Sequence, residues 1–226
     1  METDPIDDAL EVYDIYEPGA RFLKTFYEFA YRINSLNRYW VTTRSFIGRH
    51  MSGLRAVKTD GSAETDIFNG EIFLSDQEHF PEFLRGAILS HSLAALENML
   101  DDVAAEVASD LGAKVELDHR PLPYINRYML FLTRNCGLNL VISKDLWKQL
   151  DAIRELRNRY IHKLDRDLPA QIKSTLEDIA GEIRLDDTLV DDVFVDHGLI
   201  VVAELGMAVE TAFWQWYESR ETNPRT

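Results

Sequence analysis

Three segments of the chain repeat apolar residues at alternating intervals of four and three, the pattern of a helix that buries one stripe of its surface. The stripes are Phe22, Phe26, Phe29, Ile33, Leu36 and Trp40, then Leu89, Leu93, Leu96, Leu100, Val103 and Val107, and finally Leu146, Leu150, Ile153, Arg157, Tyr160 and Leu164. Gly112 is placed to end the second helix, and Ser143 is the expected N-cap of the third. The pattern therefore predicts three long helices with one buried side each.

Weaker patterns predict three more helical segments, over residues 123–135, 170–183 and 191–218. The last of these is nearly apolar and rich in aromatic residues, which is typical of a buried helix. Its β-branched pieces at 193–195 and 199–202 could instead form strands. The alternative of two short strands therefore stays open at this point.

Residues 51–79 differ from the rest, because Gly53, Gly61 and Gly70 occur there in turn-forming contexts. We expect an ordered loop or a small hairpin, inserted between the first two long helices. A chain of 226 residues is within the size of one ordinary domain. The sequence thus predicts a single all-α domain over residues 1–226, an up-down helical bundle with this insertion and an acidic N-terminal segment at 1–18.

The cysteine content, the N-terminal residues and the length of the apolar runs predict the cellular compartment of the protein. Cys136 is the one cysteine, so there is no disulfide framework and no thiolate metal site. The acidic N-terminus does not resemble the basic start of a signal peptide. The longest apolar run, near 199–209, is interrupted by Glu204 and is too short to span a bilayer. We therefore expect a cytoplasmic protein without membrane contact.

The net charge of −15 argues against non-specific binding of nucleic acid, which requires positive charge. Residues 144–166 are an exception, with seven Lys or Arg and four acids, a local charge of +3. This basic stretch could hold one short anionic ligand. On charge alone, an ordinary solvated helix face is the favoured interpretation.

Arg157 is the unusual member of the third stripe, whose other five positions are apolar. A cation that faces a core or an apolar interface is costly unless it is paired or has a function. Asn158 and His162 are four residues apart and share a neighbouring polar face. Arg157 and His162 point about 140° apart on an ideal helix. They could meet at one ligand if the helix loosens near His162, or if two copies of the helix meet across a dimer axis.

The run from Arg157 to His162 resembles the Arg-x4-6-His motif of HEPN (higher eukaryotes and prokaryotes nucleotide-binding) domains. Asn158, directly after the arginine, matches the commonest form of that motif, and an upstream long helix carrying Glu97 is also similar to the family. The resemblance covers roughly residues 80–218. It implies a dimeric helical bundle, and for many members a metal-independent endoribonuclease of toxin–antitoxin, phage-defence or CRISPR-associated systems.

Carried onto this chain, the resemblance implies a role for each motif residue. His162 would act as general base or acid on the ribose 2′-OH or the leaving oxygen. Arg157 would hold the scissile phosphate, and Asn158 would orient the histidine or the phosphate. Further contacts to the RNA backbone are expected from Arg154, Arg159 and Lys163, although solvation explains these three equally well. One toxin subgroup has a modifiable Tyr two residues after the His, where this chain has Leu164, so regulation by that route is not expected.

No cofactor and no metal are expected, because the remaining histidines are scattered and none has the spacing of a metal site. The partners that the resemblance implies are RNA, a second copy of the chain, and an antitoxin or a defence complex. The alternative is a catalytically silent HEPN-like module that binds RNA, a nucleotide or a protein. The presence of both Arg157 and His162 favours the enzyme, whereas the net charge favours the silent module. A purely structural helical dimer is a third, weaker alternative.

Overall fold

The computed structural model describes residues 13–57, 80–162, 168–180 and 191–222, and all regular structure in these ranges is helical. The helices are α1 (Lys24–Val57), α2 (Phe80–Asp110), α3 (Tyr124–Leu130), α4 (Lys144–His162), α5 (Ala170–Ala180) and α6 (Asp192–Thr222). A π-helical turn, Phe131–Asn135, continues α3. The all-α prediction is confirmed.

Two predicted helix boundaries are confirmed by local contacts. The backbone N–H of Leu146 donates to Oγ of Ser143 at 3.0 Å, as expected of an N-cap residue. Gly112 follows α2 with a φ of 64°, the left-handed conformation in which glycine commonly ends a helix.

Two other expectations are corrected. Helix α1 continues to Val57, so residues 51–57 are helical and not part of a loop or hairpin. The rest of the predicted insertion, 58–79, lies outside the described residues. The strand alternative for 193–195 and 199–202 is wrong, because both pieces belong to α6. The side chains of Val195, Val201 and Val202 pack inside the bundle, and this burial outweighs a weak preference for strands.

Helices α1 and α6 run antiparallel. The guanidinium of Arg44, in the second half of α1, donates to Oδ2 of Asp196 near the start of α6 at 2.6 Å. At the other end, the rings of Phe26 and Phe213 lie 5.6 Å apart, edge to face. Both tertiary contacts connect opposite halves of the two helices, which fixes their relative direction.

Helices α2 and α6 run parallel to each other. Arg85, near the start of α2, donates to Asp192 at the start of α6 at 2.6 Å. Arg220, at the end of α6, donates to the carbonyl oxygen of Asp110 at the end of α2 at 3.3 Å. These two helices form the centre of the bundle, with α1 packed against both and α4 also packed against both.

Close approaches at two glycines bring α4 onto this central pair. A Cβ at Gly86 of α2 would lie 2.0 Å from a ring carbon of Tyr160, and a Cβ at Gly198 of α6 would lie 3.2 Å from Ile153. Tyr160, late in α4, therefore meets the start of α2, so α4 runs antiparallel to α2. The four long helices follow the up-down order that the sequence predicts.

Among the stripe positions that the structure describes, two depart from the sequence pattern, while Leu164 lies outside the described residues. Phe22 is 74% exposed and precedes α1 instead of packing under it. In α4 the core residue that follows Ile153 is Leu156, which is 8% exposed, whereas Arg157 is half-buried at the edge of the stripe. The arginine thus lies beside the core and not within it.

An extended segment, residues 13–23, packs along the first half of α1 and the second half of α6. The carboxylate of Glu210 accepts hydrogen bonds from the Tyr16 hydroxyl at 2.5 Å and from the Gly19 backbone N–H at 2.8 Å. Asn34 accepts from the backbone N–H groups of Ile15 and Tyr16 and donates to the Tyr16 carbonyl oxygen. We call the segment 13–23 with Asn34 and Glu210 the N-terminal clasp. Within the described ranges, no helix has both the length and the apolar character needed to cross a membrane.

Candidate active site

The predicted site lies where the second half of α4 faces α2. Leu150, Ile153 and Leu156 bury the inner side of α4. Arg154 and Arg157 are three residues apart, so they share a side of the helix at the edge of this buried stripe. We refer to them as the arginine pair.

Glu97 of α2 stands opposite the arginine pair. Burial raises the pKa of the Glu97 carboxyl above its usual range, while the positive charges of Arg157 and, less strongly, Arg154 act in the opposite direction. One half-buried carboxylate therefore shares the contact between two helices with two guanidinium groups. Desolvation outweighs attraction at Glu97, so the cations do not fully compensate its charge.

The arginine pair is incompletely hydrogen-bonded. The Nε atoms of Arg154 and Arg157 are both buried without a hydrogen-bond partner. A terminal nitrogen of Arg154 donates to Oδ1 of Asp151 at 3.0 Å, within α4 itself. A buried donor without an acceptor costs about 1–3 kcal/mol, so these guanidiniums occupy a place that packing alone does not favour.

A second polar contact adjoins Glu97 one turn along α2. The hydroxyl of Tyr128 on α3 donates to Oδ1 of Asp101 at 2.8 Å. Burial, with this hydrogen bond as the next cause, raises the pKa of Tyr128 to about 12, and the charge of Glu97 contributes a smaller part. Glu97 and Asp101 are four residues apart and share a side of α2, so the Tyr128 hydroxyl of α3 lies near both carboxyls.

The end of α4 is positioned by Tyr160. Its ring covers Gly86 so closely that no side chain fits there, and its hydroxyl approaches the Phe83 carbonyl oxygen at 3.4 Å. Glycine at position 86 is therefore a requirement of this contact and not a flexible point. The contact holds the last turn of α4, which contains the backbone of His162, against the start of α2.

The structure brings some of the predicted residues together. Arg154 and Arg157 lie on the side of α4 that faces Glu97 of α2, whereas Asn158 is turned about 100° away from Arg157; all three are half-buried. Arg159 points to the other side of the helix, two residues on from Arg157, and does not join them. The side chain of His162 and the whole of Lys163 lie outside the described residues.

Helix α4 remains α-helical up to His162. The loosening before His162 that would let it converge with Arg157 on one chain is therefore not present. On the same chain the two positions diverge by about 140°. Convergence then depends on a second copy of the helix.

Sequence reasoning missed two members of this cluster, Asp101 and Tyr128. The available signal was the four-residue spacing of Glu97 and Asp101 beside an apolar stripe. It did not identify α3 as the neighbour, because that pairing depends on tertiary packing.

Among the residues that the structure describes, no group of three or more His, Cys, Asp or Glu could hold a metal ion. Comparison of the chain with family models, with curated proteins and with solved structures gave no match.

Proposed function

We propose that this chain is an endoribonuclease that needs no metal ion, with an active site formed by Arg157, Asn158 and His162 from two copies of α4, and that it acts as a toxin or in antiviral defence. The observation that carries the proposal is the state of Arg157: a half-buried guanidinium beside a carboxyl of raised pKa, with its buried Nε unpartnered. Perturbed charged groups of this kind concentrate at functional sites.

The chemistry requires little beyond these side chains, because RNA supplies its own nucleophile. The 2′-oxygen of the ribose attacks phosphorus, and the bond from phosphorus to the 5′-oxygen breaks. One His162 accepts the proton of the 2′-hydroxyl, and the His162 of the other copy donates a proton to the departing 5′-oxygen. Arg157 stabilises the charge that develops on the phosphate oxygens.

The local charges suggest how the site changes when RNA binds. Without RNA, Glu97 is the anion that faces the arginine pair. A phosphate that approaches Arg157 replaces this imperfect partner with one that accepts two parallel hydrogen bonds. Arg154 and Asn158, on the same side of α4, are placed to contact the same phosphate or its neighbour. Arg159 and Lys163 remain proposed contacts to more distant phosphates.

The dimer that we propose has an apolar surface available to it. Phe83 and Ile161, at the start of α2 and the end of α4, are both exposed. They flank the contact between Tyr160 and Gly86, so they lie at the end of the bundle that carries the motif. A two-fold axis there would bring both copies of Arg157 and His162 into one cleft.

The test is cleavage of total RNA, and then of a labelled oligonucleotide, by the purified protein in excess EDTA. We expect cleavage to persist and to leave a 2′,3′-cyclic phosphate and a 5′-hydroxyl. The variants Arg157→Ala and His162→Ala, purified in parallel, exclude a contaminating nuclease. Activity that is lost in EDTA and restored by Mg²⁺ or Mn²⁺ would contradict the mechanism.

A catalytically silent module that binds RNA, a nucleotide or a protein is the second candidate. The net charge of −15 favours it, as does the presence of Glu97 beside Arg157, since a carboxylate can serve as a purely structural counter-ion. In that case the intact protein binds RNA or a partner without cleaving RNA under any metal condition. The same assay, with binding measured beside cleavage, separates the two candidates.

A further inference from the structure

Helix α1 has a charge opposite to that of the molecule. Its 34 residues contain six Lys or Arg and a single acid, Glu28, so the helix carries +5 in a chain of −15. The rest of the chain is correspondingly more acidic. Helix α1 is therefore the part of the described structure with the most pronounced positive charge.

The outer side of α1 also carries exposed aromatic rings. Tyr31 is 76% exposed and Tyr39 is 56% exposed, and Tyr27 is exposed to a smaller extent. Tyr27 is further in contact with Phe22, their ring centres 4.9 Å apart. Rings on the opposite side of α1 are buried, so the exposed tyrosines are additional to those that the core requires.

The exposed rings and cations share one face. On a regular helix Tyr27, Arg38, Tyr31, Arg49, Tyr39 and Arg32 fall, in that angular order, within an arc of about 140°. Along the helix the positions from Tyr27 to Arg49 extend over roughly 33 Å. We call this surface the α1 face.

We propose that the α1 face binds single-stranded RNA. Proteins that bind single strands combine aromatic side chains, on which bases stack, with cations that follow the phosphates. The α1 face offers both in alternation, over a length that accommodates several nucleotides. The inference shares with the proposed function only the identity of the ligand, because the α1 face lies on the far side of α2 and α6 from α4.

The cations of the α1 face are available to phosphates. Arg38 of the α1 face pairs with Asp14, and Lys24, within the same arc, pairs with Glu28 at 3.2 Å, but these cations are exposed, and such pairs contribute little stability. In the described part of the chain Arg49 forms no ion pair. Exchange of a surface carboxylate for a phosphate is therefore inexpensive here.

A second copy of the chain is a poorer occupant of this surface. A two-fold dimer through the α1 face would place the same cations opposite each other. Among the described residues of α1, the large side chains exposed on this face are aromatic and not aliphatic. A polyanion with flat bases matches both properties of the surface, whereas a like-charged copy matches neither.

The experiment measures binding of a fluorescent 2′-O-methyl oligouridine of about 12 nucleotides, which cannot be cleaved through its 2′-oxygen. Tyr31→Ala combined with Tyr39→Ala should weaken binding at least about tenfold, and the corresponding pair of Phe substitutions should retain it, because the rings remain. Arg32→Glu combined with Arg49→Glu should also weaken binding. If two phosphate contacts are lost, the slope of log affinity against log salt falls by about 1.4.

The matched control is Lys114→Glu combined with Lys173→Glu, two exposed positions outside α1 that change the net charge by the same amount. It should bind the oligonucleotide nearly as the wild type does. Equal weakening by both charge variants would mean that only net charge matters, and would overturn the proposal. Unchanged RNA binding by the tyrosine variant would also overturn the proposal. If the protein binds no RNA and light scattering shows that the tyrosine variant has lost the dimer, the α1 face is a protein interface instead. Loss of cleavage in His162→Ala leaves these binding measurements unaffected, so the two proposals fail separately.

Discussion

The N-terminal clasp and the contact between Glu97 and the arginine pair both place polar groups inside the bundle, but they satisfy them differently. In the clasp, Glu210 is 6% exposed and receives donors from Tyr16 and Gly19. In the α2–α4 contact, Glu97 has a raised pKa and two buried Nε atoms have no acceptor.

The difference separates a stabilising role from a functional one. A buried polar group that is fully hydrogen-bonded contributes to the fold and costs free energy only when its partner is removed. A polar cluster that is left incomplete is unfavourable in the folded state, so another requirement has to account for it. The clasp therefore explains how residues 13–23 are held, while the arginine pair is where we propose that a ligand binds.

The largest effect that we expect is on catalysis. His162→Ala should reduce single-turnover cleavage of a labelled RNA by about 10²–10⁴-fold, because proton transfer belongs to the transition state. Arg157→Ala should also abolish cleavage and should weaken RNA binding more than His162→Ala does, since a phosphate contact already exists in the ground state. Cleavage at the wild-type rate by His162→Ala would remove the basis for an enzyme and leave the silent module.

The clasp should respond in stability and not in activity. Glu210→Ala leaves the Tyr16 hydroxyl and the Gly19 N–H without an acceptor, and should lower the free energy of unfolding by about 3 kcal/mol, as measured by urea titration. Glu218→Ala is the control on the same helix: its exposed ion pair with Arg21, at 3.0 Å, contributes well under about 1 kcal/mol. A clasp variant that stays folded but loses RNA cleavage would show that the clasp has a functional role and not only a structural one.

The smallest effect concerns Glu97. Because burial raises its pKa, the folded protein binds this proton more tightly than the unfolded chain does. The contribution of this proton to the free energy of unfolding is fully present below the pKa of Glu97 in the unfolded chain, about 4.3. It is lost as the pH rises through the pKa of Glu97 in the folded protein. Glu97→Gln should therefore raise the Tm at pH 7 by less than about 4 °C. The difference should disappear near pH 4. A lower Tm of the variant at pH 7 would mean that attraction to the arginine pair outweighs burial.

Much of the fold was predictable from the sequence because helix periodicity is a local property. The spacing of Phe26, Phe29 and Ile33 was enough to predict α1, and Ser143 correctly marked the start of α4. The end of α1 was not predictable in this way, since Gly53 lies within the helix and is no turn. A glycine in a long helix costs about 1 kcal/mol, which the rest of the helix tolerates.

The candidate site was predictable only in part. Arg157 was recognised because a cation interrupted an apolar stripe, although Leu156 and not Arg157 proved to be the core residue. Its neighbourhood depends on contacts between Glu97 and positions some sixty residues later in the chain, which no local spacing encodes. The α1 face was not predictable for another reason: Arg32, Arg38 and Arg49 are far apart in the sequence and share a face only after the helix is wound.

The ring of Tyr160 over Gly86 bears on how long the end of α4 stays formed. Final turns of helices fray, and their amides exchange with solvent sooner than those of the helix interior. Here the last turn of α4 contacts α2 through the ring and the hydroxyl of Tyr160. Deuterium uptake over residues 158–162 should then be slow, at a rate close to that of the contacting part of α2. Tyr160→Ala should increase deuterium uptake in that turn and leave the rest of α4 unchanged. The backbone at His162 would then be ordered because the last turn of α4 contacts α2, and not because of the stability of α4 alone.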